Sequence, residues 1–88
     1  MNQRHRRILH KLFAHPISAN IPTKGVEAVL GELGAEMTAG HGGRLHVSLN
    51  GQQTVLGFHG TDLSRGEVQQ VRRFLEGCGI DPASHYPL

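Results

Sequence analysis

The sequence has a single cysteine, Cys78, and no apolar run approaching the roughly 20 residues that a membrane span needs. One cysteine cannot form an intramolecular disulfide, and no cluster of cysteines indicates a zinc site. The basic N-terminus contains no apolar stretch of signal-peptide length. We therefore expect a cytoplasmic protein that does not bind membranes and that needs no metal or other cofactor.

Common fingerprints of nucleotide binding and ester hydrolysis are also missing. The sequence has no P-loop, no dinucleotide-binding glycine motif and no G-x-S-x-G. The glycine-rich segment over residues 40–43 is too short to be any of these motifs. A chain of 88 residues, 38% of them hydrophobic, suits one small domain. So short a chain buries only about two-thirds of its surface, and we do not expect a deep pocket for a small molecule.

Acidic residues are absent from the first part of the chain. Glu27 is the first acid, and it is preceded by the basic residues Arg4, Arg6, Arg7, Lys11 and Lys24. This asymmetry favours a phosphate-bearing or acidic partner, although such charges also simply solvate a surface.

Three segments have the apolar spacing of amphipathic helices. The first covers residues 4–14 and ends before Pro16, which begins a connector over residues 16–22. The second helix begins with Thr23 as its N-cap and ends at Gly34.

The third helix has a well-defined start. Ser64 and Glu67 match the S-x-x-E capping box, in which each side chain bonds the backbone of the other residue. We expect the helix to end at Gly77 or Gly79 and residues 81–88 to form a tail.

A β-hairpin is predicted by the strict alternation of polar and apolar residues over positions 44–49. The following pair, Asn50-Gly51, is well suited to a two-residue type I′ turn. The return strand covers residues 52–58. Residues 35–39 form a further short strand, and residues 40–43 form a loop.

The turn sets the register of the hairpin and so decides which side chains share a face. It places Arg44 opposite Gly57 and His59 diagonally across from Arg44. Apolar side chains then lie on one face. The other face carries a polar set: Arg44, His46, Ser48, Gln53, Val55 and His59. The order helix, helix, strand, hairpin, helix predicts an α+β sandwich whose helices cover one face of a small antiparallel sheet. The open face of such a sheet can bind nucleic acid.

The chain from the second helix to the third, residues 23–80, resembles the HicA-type toxins of bacterial toxin–antitoxin pairs. The resemblance is carried by the glycine loop, the strand over residues 44–49, the pair His59-Gly60 and the two helices. It implies a double-stranded-RNA-binding-domain-like α-β-β-β-α fold, with residues 1–22 as an additional N-terminal helix and connector. It also implies cleavage of mRNA without a metal ion, and a HicB-like antitoxin protein as partner.

The chain departs from the HicA pattern at one position, because Arg44 stands where the family has its catalytic histidine. A guanidinium binds phosphate well but is a poor general acid or base near neutral pH. Three histidines near Arg44 are candidates for the proton-transfer role, although each is also compatible with an ordinary surface position: His41 in the glycine loop, His46 on the same strand face, and His59.

Further basic side chains are candidates for binding the RNA backbone together with Arg44: Lys24, Arg65, Arg72 and Arg73. The alternative is that they are ordinary solvent-exposed charges on helix surfaces. Cys78 lies on the apolar stripe of the last helix and is expected in the core. The leading hypothesis from the sequence is a HicA-like endoribonuclease. A non-catalytic RNA-binding module and a domain acting mainly through an antitoxin-like protein are the alternatives.

Overall fold

The computed structural model describes all 88 residues as four helices and five strands. The helices in chain order are α1 (Gln3–Leu12), α2 (Thr23–Glu32), α3 (Arg65–Gly77) and α4 (Pro82–His85). The strands are β1 (Ile21–Pro22), β2 (Glu36–Ala39), β3 (Arg44–Leu49), β4 (Gln52–Gly57) and β5 (Asp62–Leu63). No helix is both long enough and apolar enough to cross a membrane.

Three strands form an antiparallel sheet in the order β2-β3-β4, while β1 and β5 pair separately as a two-stranded antiparallel sheet. The helices pack on one face of the larger sheet, so the predicted α+β class is confirmed. The predicted strand over residues 35–39 exists as β2, but all four of its residues are exposed. Within the predicted loop, His41–Gly43 forms a 3-10 turn.

The predicted hairpin is confirmed in turn position and register. Asn50 and Gly51 have φ angles of 51° and 79°, as a type I′ turn requires. Leu49 pairs with Gln52, and the ladder continues to its last pair, Arg44 with Gly57. The turn is also held from outside, because the Asn50 side-chain amide donates a hydrogen bond to the Cys78 carbonyl oxygen at 2.9 Å.

The hydrophobic core is one cluster of 15 side chains that includes residues from α1, α2, α3 and both hairpin strands. Leu9 and Leu12 of α1 are fully buried in it. Residues 1–22 therefore help to form the same core as the rest of the chain. They are not merely an addition to it.

The C-terminal residues do not form a free tail, and this part of the sequence-based prediction is wrong. Pro82 begins the short helix α4, which contacts α1. A ring nitrogen of His10 lies 2.7 Å from the carbonyl oxygen of Tyr86, and Arg6 donates to the carbonyl oxygen of Pro87 at 3.4 Å. These bonds join residues about 80 positions apart, which is why local sequence patterns do not indicate them.

The start of α2 also differs from the prediction. Pro22 precedes the helix, and Thr23 is its first residue and makes no capping bond. The Thr23 hydroxyl instead donates to the carbonyl oxygen of Gly60 at 2.8 Å. The cause is tertiary: the end of the predicted connector pairs with β5, which brings residue 60 next to the helix start.

The remaining helix ends agree with the sequence to within a few residues. Helix α1 ends at Leu12, two residues before the predicted end. Both bonds of the capping box between Ser64 and Glu67 are present at the start of α3. Gly34 and Gly79 follow their helices with positive φ angles of 95° and 80°, which glycine adopts without strain.

Candidate functional site

The sheet face that points away from the helices is open to solvent and carries the side chains predicted for it. Strand register arranges this face in rows that run across β2, β3 and β4. One row holds Thr38, His46 and Val55, because His46 pairs with both of its neighbours. The next row is centred on Arg44.

Arg44 stands between two glycines. On one side it pairs with Gly57 of β4, and on the other the Gly40 N–H donates to the Arg44 carbonyl oxygen at 2.8 Å. Neither neighbour has a side chain. The surface on both flanks of the exposed Arg44 side chain is therefore left for side chains from other positions, where a cross-strand pair would ordinarily fill it.

Two histidine rings lie over these glycines. A Cβ atom on Gly40 would stand 3.0 Å from Nε2 of His46, and a Cβ atom on Gly57 would stand 3.5 Å from Nε2 of His59. The two imidazoles thus occupy the surface on either side of Arg44. Two titratable rings and one permanent cation are brought together on one exposed surface.

Arg44 and His59 also line an open cleft of about 510 Å³, whose complete lining is His41, Gly42, Arg44, Val55, Gly57 and His59. His41 reaches this cleft from the 3-10 turn, in which Gly42 and Gly43 have φ angles of 67° and 75°. His46 lines a second cleft beside it. The structure therefore brings Arg44 and the three candidate histidines to one region of the open face.

Glu67 holds the backbone of His59 in place, a role that the sequence did not reveal. One carboxylate oxygen accepts the Ser64 N–H at 2.8 Å, and the other accepts the His59 N–H at 3.3 Å. The backbone hydrogen bond from Ser64 is the main reason why the pKa of Glu67 lies below its usual value. The capping box was visible in the sequence, but the additional bond to His59 depends on how the preceding loop folds.

The helix cations that were predicted to contact RNA are not gathered around Arg44. Lys24 lines a cleft at the start of α2, Arg65 is exposed at the start of α3, and Arg73 lines a cleft beside β4. The side chain of Arg72 is only 13% exposed and lies 4.0 Å from Glu76. Arg72 is therefore poorly placed to bind a phosphate chain in solvent.

No group of three or more His, Cys, Asp or Glu side chains is arranged to hold a metal ion. The predicted core position of Cys78 is confirmed: the thiol is buried and donates to the Leu49 carbonyl oxygen at 3.4 Å. Burial raises the pKa of Cys78 above its usual value of 9.0, which disfavours the reactive thiolate.

Comparison with known proteins shows similarity to one segment of a much longer protein. The chain is 40% identical, over 73 residues, to part of the DNA translocase FtsK of Caulobacter vibrioides. The matched region covers 73% of this chain but only 9% of that protein. No family model and no solved structure matches the chain.

Proposed function

We propose that this chain is a HicA-like toxin that binds mRNA on its open sheet face and cleaves it without a metal ion. The observation that carries the proposal is the position of Arg44 between Gly40 and Gly57, with the rings of His46 and His59 over the two glycines. A fixed cation flanked by two groups able to move protons is suited to a phosphodiester. The HicA resemblance of residues 23–80 supports the same assignment.

In the proposed reaction Arg44 binds the scissile phosphate and stabilises the charge that develops on its oxygens. One histidine accepts the proton of the ribose 2′-hydroxyl, and that oxygen forms a new bond to phosphorus. The bond from phosphorus to the 5′-oxygen breaks, and a second, protonated histidine donates a proton to the leaving oxygen. The products are a 2′,3′-cyclic phosphate and a free 5′-hydroxyl. We assign these two roles to His46 and His59, whose rings lie over the glycines beside Arg44, and His41, which lines the Arg44 cleft, is the third candidate.

The order of elements supports the fold that this proposal requires. The segment from α2 to α3 runs helix, three strands of one antiparallel sheet, the two-residue strand β5 and helix, and apart from β5 this is the order of a double-stranded-RNA-binding-domain-like fold. A HicB-like antitoxin in the cytoplasm would be the regulatory partner.

The test is cleavage of labelled RNAs by purified protein in the presence of EDTA, with product ends identified by mass spectrometry. Cleavage that yields cyclic phosphate ends is expected, and so is slower growth of cells that express the protein. Arg44→Gln, His46→Ala and His59→Ala should each reduce cleavage strongly. The matched control is His85→Ala, because His85 is exposed on α4, outside the site. Intact RNA together with normal growth would contradict the proposal.

A second function, binding of nucleic acid without cleavage, is favoured by Arg44 itself, since it replaces the family's histidine. Affinity that falls steeply with salt, no cleavage, and no effect of the histidine variants would select this function. DNA of the same sequence belongs in the assay, because the relative in Caulobacter is named a DNA translocase. A domain that acts mainly through an antitoxin-like protein would bind neither polymer at low salt.

A further inference from the structure

A second cleft of about 360 Å³ lies beside the Arg44 cleft on the same open face. Val55 lines both clefts and is 43% exposed, so an apolar surface lies at their junction. The second cleft contains no Lys or Arg. Its polar side chains on the open face come from all three strands: Glu36, Thr38, His46, Ser48 and Gln53.

The polar groups of this second cleft are not used by the fold. Glu36, Thr38, Ser48 and Gln53 make no side-chain hydrogen bond or ion pair with the rest of the protein. Together they present a carboxylate, two hydroxyls and an amide. These groups are free to bond to a ligand that has both donors and acceptors.

We propose that the second cleft binds the base of the nucleotide whose phosphate lies at Arg44, and that the preferred base is guanine. This inference rests on the proposed function, since it requires RNA on the open face. Ser48, the partner of Glu36, lies four residues along β3 from Arg44, a distance of about 13 Å. The long side chains of Arg44 and Glu36, leaning towards each other, and one nucleotide between them span this distance, so one nucleotide reaches both clefts.

Guanine is selected by the carboxylate of Glu36. A carboxylate offers two acceptor oxygens side by side, and only guanine presents two adjacent N–H donors, N1–H and the N2 amino group, on its Watson–Crick edge. Adenine, cytosine and uracil lack that pair. Bases of unpaired RNA are read on this edge. The exposed apolar side chain of Val55 offers a surface for one face of the base.

Glu36 has a second effect that separates a base contact from a phosphate contact. Its negative charge repels the phosphates of any RNA, so Glu36→Gln should strengthen binding of RNA in general while it removes the preference for guanine. A residue that only contacted phosphate would change the affinity of all sequences together. The ratio of the affinities for two RNA sequences therefore distinguishes a base contact from a phosphate contact.

The experiment measures fluorescence anisotropy of uridine-rich RNA pentamers with a central guanosine, inosine or adenosine. Inosine keeps N1–H and lacks only the N2 amino group. We expect the guanosine pentamer to bind about tenfold more tightly than the adenosine pentamer, with inosine between them. Glu36→Gln should bring all three affinities close together. Glu27→Gln, which removes an equal charge on α2, should leave the ratios unchanged.

Arg44→Gln separates failure of this inference from failure of the proposed function. It should weaken binding of all three pentamers equally and preserve the guanosine ratio. Pentamers that bind through Arg44 but show no guanosine preference, or a preference that survives in Glu36→Gln, would overturn the base pocket alone. If no pentamer binds, the nucleic-acid function and the base pocket both fail.

Discussion

The substitution Gly40→Ala tests whether the position of the His46 ring matters for activity. Gly40 has a φ of −109° and a ψ of −168°, which alanine adopts freely. The added methyl group would stand 3.0 Å from Nε2 and 3.1 Å from Cδ2 of the His46 ring. Real Cβ contacts are rarely so short. The ring must therefore move by a few tenths of an ångström or rotate away from the glycine.

The expected cost in stability is small, because His46 is exposed and its ring can move into solvent. Alanine also reduces the freedom of the unfolded chain, which favours the folded state by about 0.4–1 kcal/mol. We expect the free energy of unfolding to change by less than about 1 kcal/mol. A catalytic group displaced by about 1 Å can lose about 100-fold in activity, so a ring displaced by a few tenths of an ångström should lower cleavage by about three- to tenfold.

Gly57→Ala is the matched comparison. Its methyl group would stand 3.5 Å from Nε2 of His59, an ordinary van der Waals contact that needs no movement of the ring. We expect less than about a threefold change in cleavage, since no catalytic group is displaced. Single-turnover cleavage of labelled RNA measures the activity, and NMR of the histidine rings measures their displacement.

A double-mutant cycle completes this test. In a His46→Ala background the Gly40→Ala change should have no further effect on cleavage, because its target ring is gone. The reasoning is refuted if Gly40→Ala moves the ring and leaves cleavage unchanged. Equal losses in Gly40→Ala and Gly57→Ala would also refute it.

Three further predictions concern the stability of the fold. Leu9→Ala should lower the free energy of unfolding by about 2–5 kcal/mol in urea titrations, because Leu9 is fully buried; a smaller loss would show that α1 is peripheral. Asn50→Ala should cost about 1–2 kcal/mol, because it removes both the residue tolerant of positive φ and the bond to Cys78, and Asn50→Gly should recover the backbone part of that loss. The pKa of Glu67 is lowered on folding mainly by the backbone bond from Ser64, so its stabilising effect is complete above about pH 5 and is lost as the pH falls below 4.5. Urea titrations from pH 3 to 7 should show this acid-side decline in the natural protein and less of it in Glu67→Gln; identical profiles would contradict the assigned role.

Local patterns predicted the elements that depend on local chemistry. The turn at Asn50-Gly51 follows from the preference of these residues for positive φ, and the capping box at Ser64 follows from the spacing of two side chains. Because strand side chains alternate with a period of two, the turn position alone was enough to place Arg44 and His46 on the open face. His59 was assigned to the same face on that basis, but it lies two residues beyond the end of β4, where a bond to Glu67 holds its backbone.

Contacts between distant parts of the chain could not be predicted in this way. The sequence predicts Thr23 as an N-cap, yet its hydroxyl donates a hydrogen bond to the carbonyl oxygen of Gly60, 37 residues away. The sequence predicts Arg72 as an exposed helix cation, yet its side chain is only 13% exposed to solvent. The sequence predicts residues 81–88 as a tail, yet they contain α4 and are hydrogen-bonded to α1.

The sequence by itself determined the hairpin, its register and which side chains of its two strands lie on the open face, because turn geometry and strand alternation are local properties. Only the tertiary structure decided how these side chains are arranged. It laid the rings of His46 and His59 over the glycines beside Arg44, and it bonded the backbone of His59 to Glu67. Ring positions depend on which atoms from other strands and loops stand nearby, and those neighbours exist only once the chain has packed.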